Sequence, residues 1–519
     1  TILVIEPSEV EKDLLWTGSD DGRVHITKNG GTTWKDVSAN IPDLPSGSWI
    51  AQIKASNKNK GEALLIANDY RRFNYTPYAY RTKDYGANWS RIVDENDVKS
   101  YTLSIVEDPI NAKLLFLGTD DGLYVSLDAG NQWSKWTAGF PTVSTKDLVI
   151  QPREHDLVIG TFGRAAWVLD DIRPLRAMAS GNVFDKKLQL FTPPTAYQAA
   201  YQQPTGSRFG GDALFNGENK KSGAMISYYI NRSDDASDKK VEKSTKNKKK
   251  RNKTKKITTP DPSKEIVPEV KYDSIKLEIF DGSRLIRTLK QKAPKENGIH
   301  RMYWSMNERG ADRPSRKIRK RNFEPGGVSV KPGTYNLKMT FGDQTSESSI
   351  TVEYDPRLEM SSEAIAEIYN VSKDLEKDQQ LMADIVKQLA ESKQTATGFK
   401  KDLDKEDKKK YKDQIKLSKD IINKIDDLIA VFIGKIDKRQ GITRNPEVTV
   451  SRRYFSARRY VGSRFGDLTS TEERLIRQFK KAFKDAVKKT NSFFDTDWKT
   501  YKTTLETIRI SPFKKVKKF

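Results

Sequence analysis

YVSLDAGNQW, residues 124–133, spaces an aspartate, a glycine and a tryptophan in a way that suits either an active site or a tight turn. The pattern S/T-x-D/N-x-G-x-x-W, here Ser126, Asp128, Gly130 and Trp133, also occurs twice upstream. TKNGGTTW supplies Thr27, Asn29, Gly31 and Trp34, and TKDYGANW supplies Thr82, Asp84, Gly86 and Trp89. Copies offset by 55 and 44 residues describe a repeated structural unit, because a catalytic aspartate is not needed once per module. Asn29, Asp84 and Asp128 are therefore expected to accept hydrogen bonds from turn amides, with the glycine taking a positive φ and Trp34, Trp89 and Trp133 covering the hairpins.

Each box follows a strand pair. LLWTGSDDGRVHIT and LLFLGTDDGLYVS flank Asp20-Asp21-Gly22 and Asp120-Asp121-Gly122, and Asp-Gly between alternating strands is a hairpin signal. Paired aspartates also invite a glycosidase reading, but neighbours in a tight turn point in different directions. A fourth unit, DLVIGTFGRAAWVLDDIRPL, lacks the box and keeps a strand pair around Gly163. Repeated small antiparallel sheets imply the radial blades of a β-propeller.

With these residues in hand, the three boxes resemble the Asp-box, or BNR, repeats of sialidase-like and sortilin-like propellers. The run from GTDDGLYVSLDAGNQW to LDDIRPL is similar to the last blades of sortilin-related bacterial BNR proteins, often labelled glycosyl hydrolases. The resemblance implies six or more blades, so earlier blades are expected to have been lost, cleaved off or to belong to another chain. It also implies a histidine where Phe162 stands, whereas Arg164 is retained. Proton transfer at that turn is thereby put in doubt.

The expected fold is mainly β with an α-helical C-terminus: a partial β-propeller of four blades (1–178), an Ig-like β-sandwich (185–356) and a helical bundle (357–519). In the second part, GAMISYYIN, YDSIKLEIF, GIHRMYWSM, GTYNLKMTF and SSITVEY alternate as strands, and KPGTYNLKM resembles the Ig-like modules that follow such propellers. In the third, Ile368, Leu375, Met382 and Leu389 recur every seven residues, and Tyr411, Ile415, Ile422, Ile425 and Ile429 form a second stripe. The polar stretch 391–407 reads as the hinge of a helical hairpin. Ser470 with Glu473 reads as a capping box, and Phe494, Trp498 and Leu505 as a fourth helical run. Arg452, Arg453, Arg458 and Arg459, interleaved with Tyr454, Phe455 and Tyr460, read either as a polyanion grip or as a loop folded over the bundle.

The chain has 519 residues and a net charge of 93 − 70 = +23. Eleven basic residues against one acid between Lys239 and Lys256 account for +10 of that excess. The insertion 232–270 around them is expected to be a disordered, solvated loop, and 187–222 an extended strap. Absence of cysteine excludes disulfides and thiolate chemistry, and the three scattered histidines suggest no zinc site. No apolar run reaches the roughly 18 residues of a membrane span, and residues 1–16 carry no signal-peptide pattern.

No catalytic, cofactor-binding or metal-binding residue is assigned, and no cofactor is expected. The insert NDYRRFNYTPYAYRT supplies the candidate ligand or partner surface, Tyr70, Arg71, Arg72, Phe73 and Tyr75, with Arg164 added from the fourth unit. Its alternative is a loop whose aromatics pack under a neighbouring blade. The leading reading is a noncatalytic interaction or scaffold protein of the bacterial envelope or surface, periplasmic, outer-membrane-associated or secreted. Its partners are other proteins of an envelope complex or a separate chain carrying the rest of the propeller. A glycoside hydrolase or glycan-binding protein is the alternative, and nucleic acid ranks last.

Overall fold

In this computed structural model, residues 1–199, 220–232, 272–318, 323–436, 447–463 and 466–508 are described. The chain is mainly β, with a helical C-terminal region.

Four antiparallel sheets follow one another, each built from strands paired in sequence order. Sheet I contains Ile2–Pro7, Leu15–Ser19, Val24–Thr27 and Lys35–Asp36. Sheet II contains Trp49–Ala55, Ala63–Asp69, Asn74–Thr82 and Ser90–Arg91. Sheet III contains Thr102–Glu107, Leu115–Thr119, Gly122–Ser126 and Ser134–Lys135. Sheet IV has three strands, Thr145–Gln151, Asp156–Thr161 and Ala166–Leu169. Alternation along each strand sends one set of side chains to the preceding sheet and the other to the next. Trp16 and Val24 thus meet Leu65 and Tyr80 between sheets I and II. Leu64 and Ile66 meet Leu117 and Tyr124 between II and III, and Phe116 meets Leu157 and Ile159 between III and IV.

Helix α1 (Arg173–Ala179) leaves sheet IV. Two further sheets then enclose one core that includes Ile226, Tyr228, Leu277, Trp304, Leu337 and Phe341. One has the order Leu188–Leu190, Ala224–Ile230, Gly298–Trp304. The other has the order Ala196–Gln198, Gln344–Tyr354, Gly333–Phe341, Ser274–Asp281, Arg284–Lys292, its first pair being parallel. Two short strands of the expected strap therefore belong to these sheets. Residues 200–219, and the lysine-rich stretch from 233 to 271, lie outside the described residues.

The C-terminal region contains α2 (Ser362–Asp407), α3 (Lys412–Ile433), α4 (Val450–Val461), α5 (Ser470–Phe493) and α6 (Lys499–Glu506), packed around Met382, Leu389, Ile425, Tyr454 and Phe479. Three sequence expectations are corrected here. The hinge expected at 391–407 is helical: Ala396 and Leu403 continue the buried stripe, and Gly398, at a cost of about 1 kcal/mol relative to alanine, is tolerated within it. The chain reverses only at 408–411, and Lys393 pairs with Asp426 across the two antiparallel helices. The arginine- and tyrosine-rich stretch is helix α4, with Tyr454 in the core, not a loop laid over the bundle. The capping box is Thr469 with Glu472, one residue earlier than expected. The fourth helical run is joined to α5 through a π-helical turn, Phe494–Trp498.

Candidate functional site

Because strands within each blade alternate in direction, the turns after the first and third strands lie at one end of the blades, and the turn after the second strand lies at the other. All three boxes follow third strands. The turns at 20–21, 70–73, 120–121 and 162–165 follow second strands. The box aspartates and the aromatic insert are therefore at opposite ends and cannot share a site.

At the box end, the local geometry repeats. Thr27, Thr82 and Ser126 donate to Oδ1 of Asn29, Asp84 and Asp128 at 3.0, 3.0 and 2.8 Å. The same hydroxyls accept from the amides of Gly31, Gly86 and Gly130 at 3.0, 3.0 and 2.9 Å. Each Oδ1 also accepts a main-chain amide, from Thr33, Asn88 and Gln132. Hydrogen bonds from the Asn88 side chain and amide hold the Asp84 carboxyl below its ordinary pKa. The box glycine is left-handed, with φ +97, +78 and +97°, and so is the residue before it, Gly30, Tyr85 or Ala129. Trp89 and Trp133 are buried, but Trp34 is 44 % exposed, since among the described residues no sheet packs on the outer side of sheet I. Its ring still lies 3.7 Å from where a Cβ on Gly31 would stand, against its own turn.

Asn29 makes the same bonds as the two aspartates, so the turn needs an acceptor and not a charge. Asp128→Asn is expected to leave the unfolding free energy within about 0.5 kcal/mol of the parent, while Asp128→Ala lowers it by about 1 kcal/mol. Urea unfolding followed by tryptophan fluorescence distinguishes the two.

At the other end, Tyr70, Arg71 and Arg72 form a 3-10 turn that closes on Phe73. The Tyr70 ring stacks on Tyr101 at 4.7 Å, and Tyr75 leans on the same ring at 6.1 Å. The Arg71 guanidinium lies 3.0 Å from the ring centre of Trp49. Arg72 Nε donates to buried Asp69 at 2.6 Å, so this arginine is tied to its own turn. Phe73 has φ +61° and is 84 % exposed, a strained backbone holding an apolar ring in water. Tyr75 is also exposed. Burial, and then the neighbouring Asp120, push the Tyr101 hydroxyl up to about 12.

Arg164 lies two sheets away in the turn after the second strand of sheet IV, where its carbonyl accepts from Trp167 Nε1 at 3.0 Å. Exposed Phe162 shares that turn, and Lys146 Nζ stands 5.9 Å from its ring centre. Trp49, Tyr101 and Asp120 were missed by sequence reasoning. A signal was available: Trp49 opens the first strand of sheet II and Tyr101 immediately precedes that of sheet III.

Between sheets II and III the largely buried carboxylates of Glu62 and Glu107 both bond Arg81, each at 2.9 Å. Burial raises the Glu107 pKa, and the Arg81 charge opposes that rise. The adjoining cleft of about 250 Å³ is lined by these two carboxylates with Glu6, Glu9 and Lys54. Among the described residues no group of three or more metal-binding side chains occurs, and no helix is long and apolar enough to cross a membrane.

Residues 78–265 match the family model Sortilin-Vps10, described as sortilin, neurotensin receptor 3. Among solved structures, a GH74 enzyme of Niastella koreensis is similar at 16 % identity over 33 % of this chain and 28 % of that one, with a TM-score of 0.28. YCF48 bound to D1 peptide is similar at 17 % identity over 33 % of this chain and 52 % of that one, with a TM-score of 0.25. A GH74 xyloglucanase from Xanthomonas campestris is similar at 17 % identity over 34 % of this chain and 30 % of that one, with a TM-score of 0.26. The chain thus spans between about a quarter and a half of the length of these structures. No curated protein matches it.

Proposed function

We propose that this chain is a noncatalytic interaction component of the bacterial cell envelope or surface, holding a protein partner on the insert end of a sortilin-like propeller. The observation that carries the reading is Phe73, projected into solvent from a left-handed residue above the packed Tyr70–Tyr101 pair. A preorganised aromatic anchor loses little side-chain entropy on binding, and such residues dominate contact energies at interfaces. Arg71 is fixed over Trp49 and leaves a cationic rim beside it. The envelope setting rests on the resemblance of the boxes and of the Ig-like sandwich to sortilin-related bacterial proteins.

The test is quantitative pull-down from native envelopes with the parent and with Phe73→Ala/Tyr75→Ala. Retention of the same partner is expected to fall at least about tenfold, corresponding to 1.4 kcal/mol. Undiminished capture by the double variant removes the insert from the interface.

A carbohydrate-binding or glycoside hydrolase role is the second reading, favoured by the tyrosine stack beside Asp120. Stacked rings next to a carboxylate suit a sugar face. Hydrolysis needs two carboxylates placed across a bond, about 5–9.5 Å apart, whereas Glu62 and Glu107 are joined through one guanidinium. Incubation with a polysaccharide panel is expected to release no sugar, and turnover would reverse the ranking.

A further inference from the structure

The helices of the C-terminal bundle divide their charge unevenly. Helices α2 and α3 mix the signs, with eleven basic residues and fifteen acids. Helices α4 and α5 hold eleven basic residues against three acids. One of those acids, Glu472, is buried in the cap of α5. One of the cations, Lys480, is neutralised by Asp374 and Asp378 of α2 at 2.6 and 2.5 Å. Most of the rest faces water.

On α5, Arg474, Arg477, Lys481, Lys484 and Lys488 are all exposed and step by threes and fours, so they form one row about 21 Å long. Among the described residues only Arg477 of these five meets an acid within 4 Å, Glu473 one turn back at 3.2 Å. Asp485 is exposed beside the row. Helix α4 lies alongside, with the Tyr454 ring edge-on to Phe479 at 5.4 Å and Arg453 donating to Gln478 at 3.4 Å. Its exposed face repeats the spacing in Arg452, Phe455 and Arg459. The Arg313 guanidinium stands 5.7 Å from the Phe455 ring centre, and Tyr460 is half exposed.

The bundle core does not call for this segregation, since exposed helix positions accept either sign, as α2 does. Like charges gathered on one face repel one another, and an opposing array of anions removes that cost. The cations are spread along the helices and do not converge, which suits an extended array and not a single phosphate or carboxylate. A rod-shaped polyanion would engage one row, whereas a surface engages both rows and the exposed rings. We propose that the α4–α5 face docks on an anionic lipid bilayer. Arg452, Arg459 and the α5 row then lie against phosphate headgroups, with Phe455 and Tyr460 at the boundary between headgroups and acyl chains. This contact is peripheral and independent of the insert end.

Flotation of the full chain with lipid vesicles tests it. The parent is expected to float with vesicles of phosphatidylcholine containing phosphatidylglycerol, not with phosphatidylcholine alone, and to be released as salt rises. Lys481→Gln/Lys484→Gln/Lys488→Gln is expected to weaken the association roughly hundredfold, from about fivefold per cation. Its circular dichroism and melting temperature are expected to stay unchanged, because all three side chains are exposed. Lys412→Gln/Lys416→Gln/Lys419→Gln, on exposed positions of α3, makes the same change in net charge and is expected to leave the association as in the parent. Equal losses in the two variants, the result if net charge or the lysines between 239 and 256 drive the association, overturn the proposal. So does a parent that ignores the anionic vesicles, whether or not it retains heparin or DNA.

Discussion

Replacing Asp108 with alanine is expected to lower unfolding stability by about 3–5 kcal/mol, the largest single effect foreseen for this chain. Asp108 is fully buried. One carboxylate oxygen accepts from Arg176 Nε at 2.7 Å, and the other accepts the amides of Ile110 and Asn111 at 2.9 and 2.7 Å. Arg176, on α1, is itself buried, so the alanine variant leaves a cation without a counter-charge and two amides without an acceptor. The change should also loosen α1 from the arc, since Asn111 holds the Arg176 carbonyl at 3.1 Å. Asp108→Leu combined with Arg176→Met removes both charges and is expected to recover part of the loss, but not the part due to the turn amides. Seven of the nine tryptophans precede residue 170, so denaturant titration followed by tryptophan fluorescence reports mainly on these sheets. A loss below about 1 kcal/mol in Asp108→Ala would show that the pair contributes no more than a surface ion pair.

The second large effect is expected at Glu308, where the sandwich meets α2. Glu308 lies on the short strand Asn307–Arg309 and is almost fully buried. Arg284 grips both of its oxygens, at 3.1 and 3.0 Å; Tyr369 donates to Oε1 at 2.5 Å; and Lys373 donates to Oε2 at 3.1 Å. Burial alone would raise the carboxyl pKa, but the hydrogen bonds from Arg284, Tyr369 and Lys373 outweigh it and bring the group to about 2. Arg284 is half exposed, which places the cost of Glu308→Ala near the lower end of the range for broken buried pairs, about 3 kcal/mol.

The pH dependence has a definite sign. A carboxyl whose folded pKa is depressed stabilises the fold above its unfolded value, and that contribution drains away as pH falls toward the folded value. For Glu308 the window runs from 4.5 down to about 2. Acid titration of the melting temperature should therefore fall less steeply in Glu308→Gln than in the parent across this range. Equal slopes would remove Glu308 from the acid response.

These two clusters were invisible in the sequence, and their residues explain why. Asp108 and Arg176 are 68 positions apart, and Glu308 and Tyr369 are 61 apart. A charged residue in isolation gives no hint of which distant charge it will meet. Tyr101 was missed for the same reason, since its stacking on Tyr70 depends on how one blade sits on the next. The hinge expected at 391–407 was misread differently: its polar residues describe the solvent side of a long helix whose buried side continues through Ala396 and Leu403.

By itself the sequence determined whatever is written within a few residues. The boxes are the clearest case, because side-chain oxygens and turn amides four positions apart meet whatever the rest of the chain does. Strand alternation and the helical stripes are of the same local kind. Tertiary structure alone decided that the boxes and the insert face opposite ways and that Arg71 lies over Trp49. Those outcomes depend on strand direction and on the stacking of one sheet upon the next, and both are properties of the assembled arc.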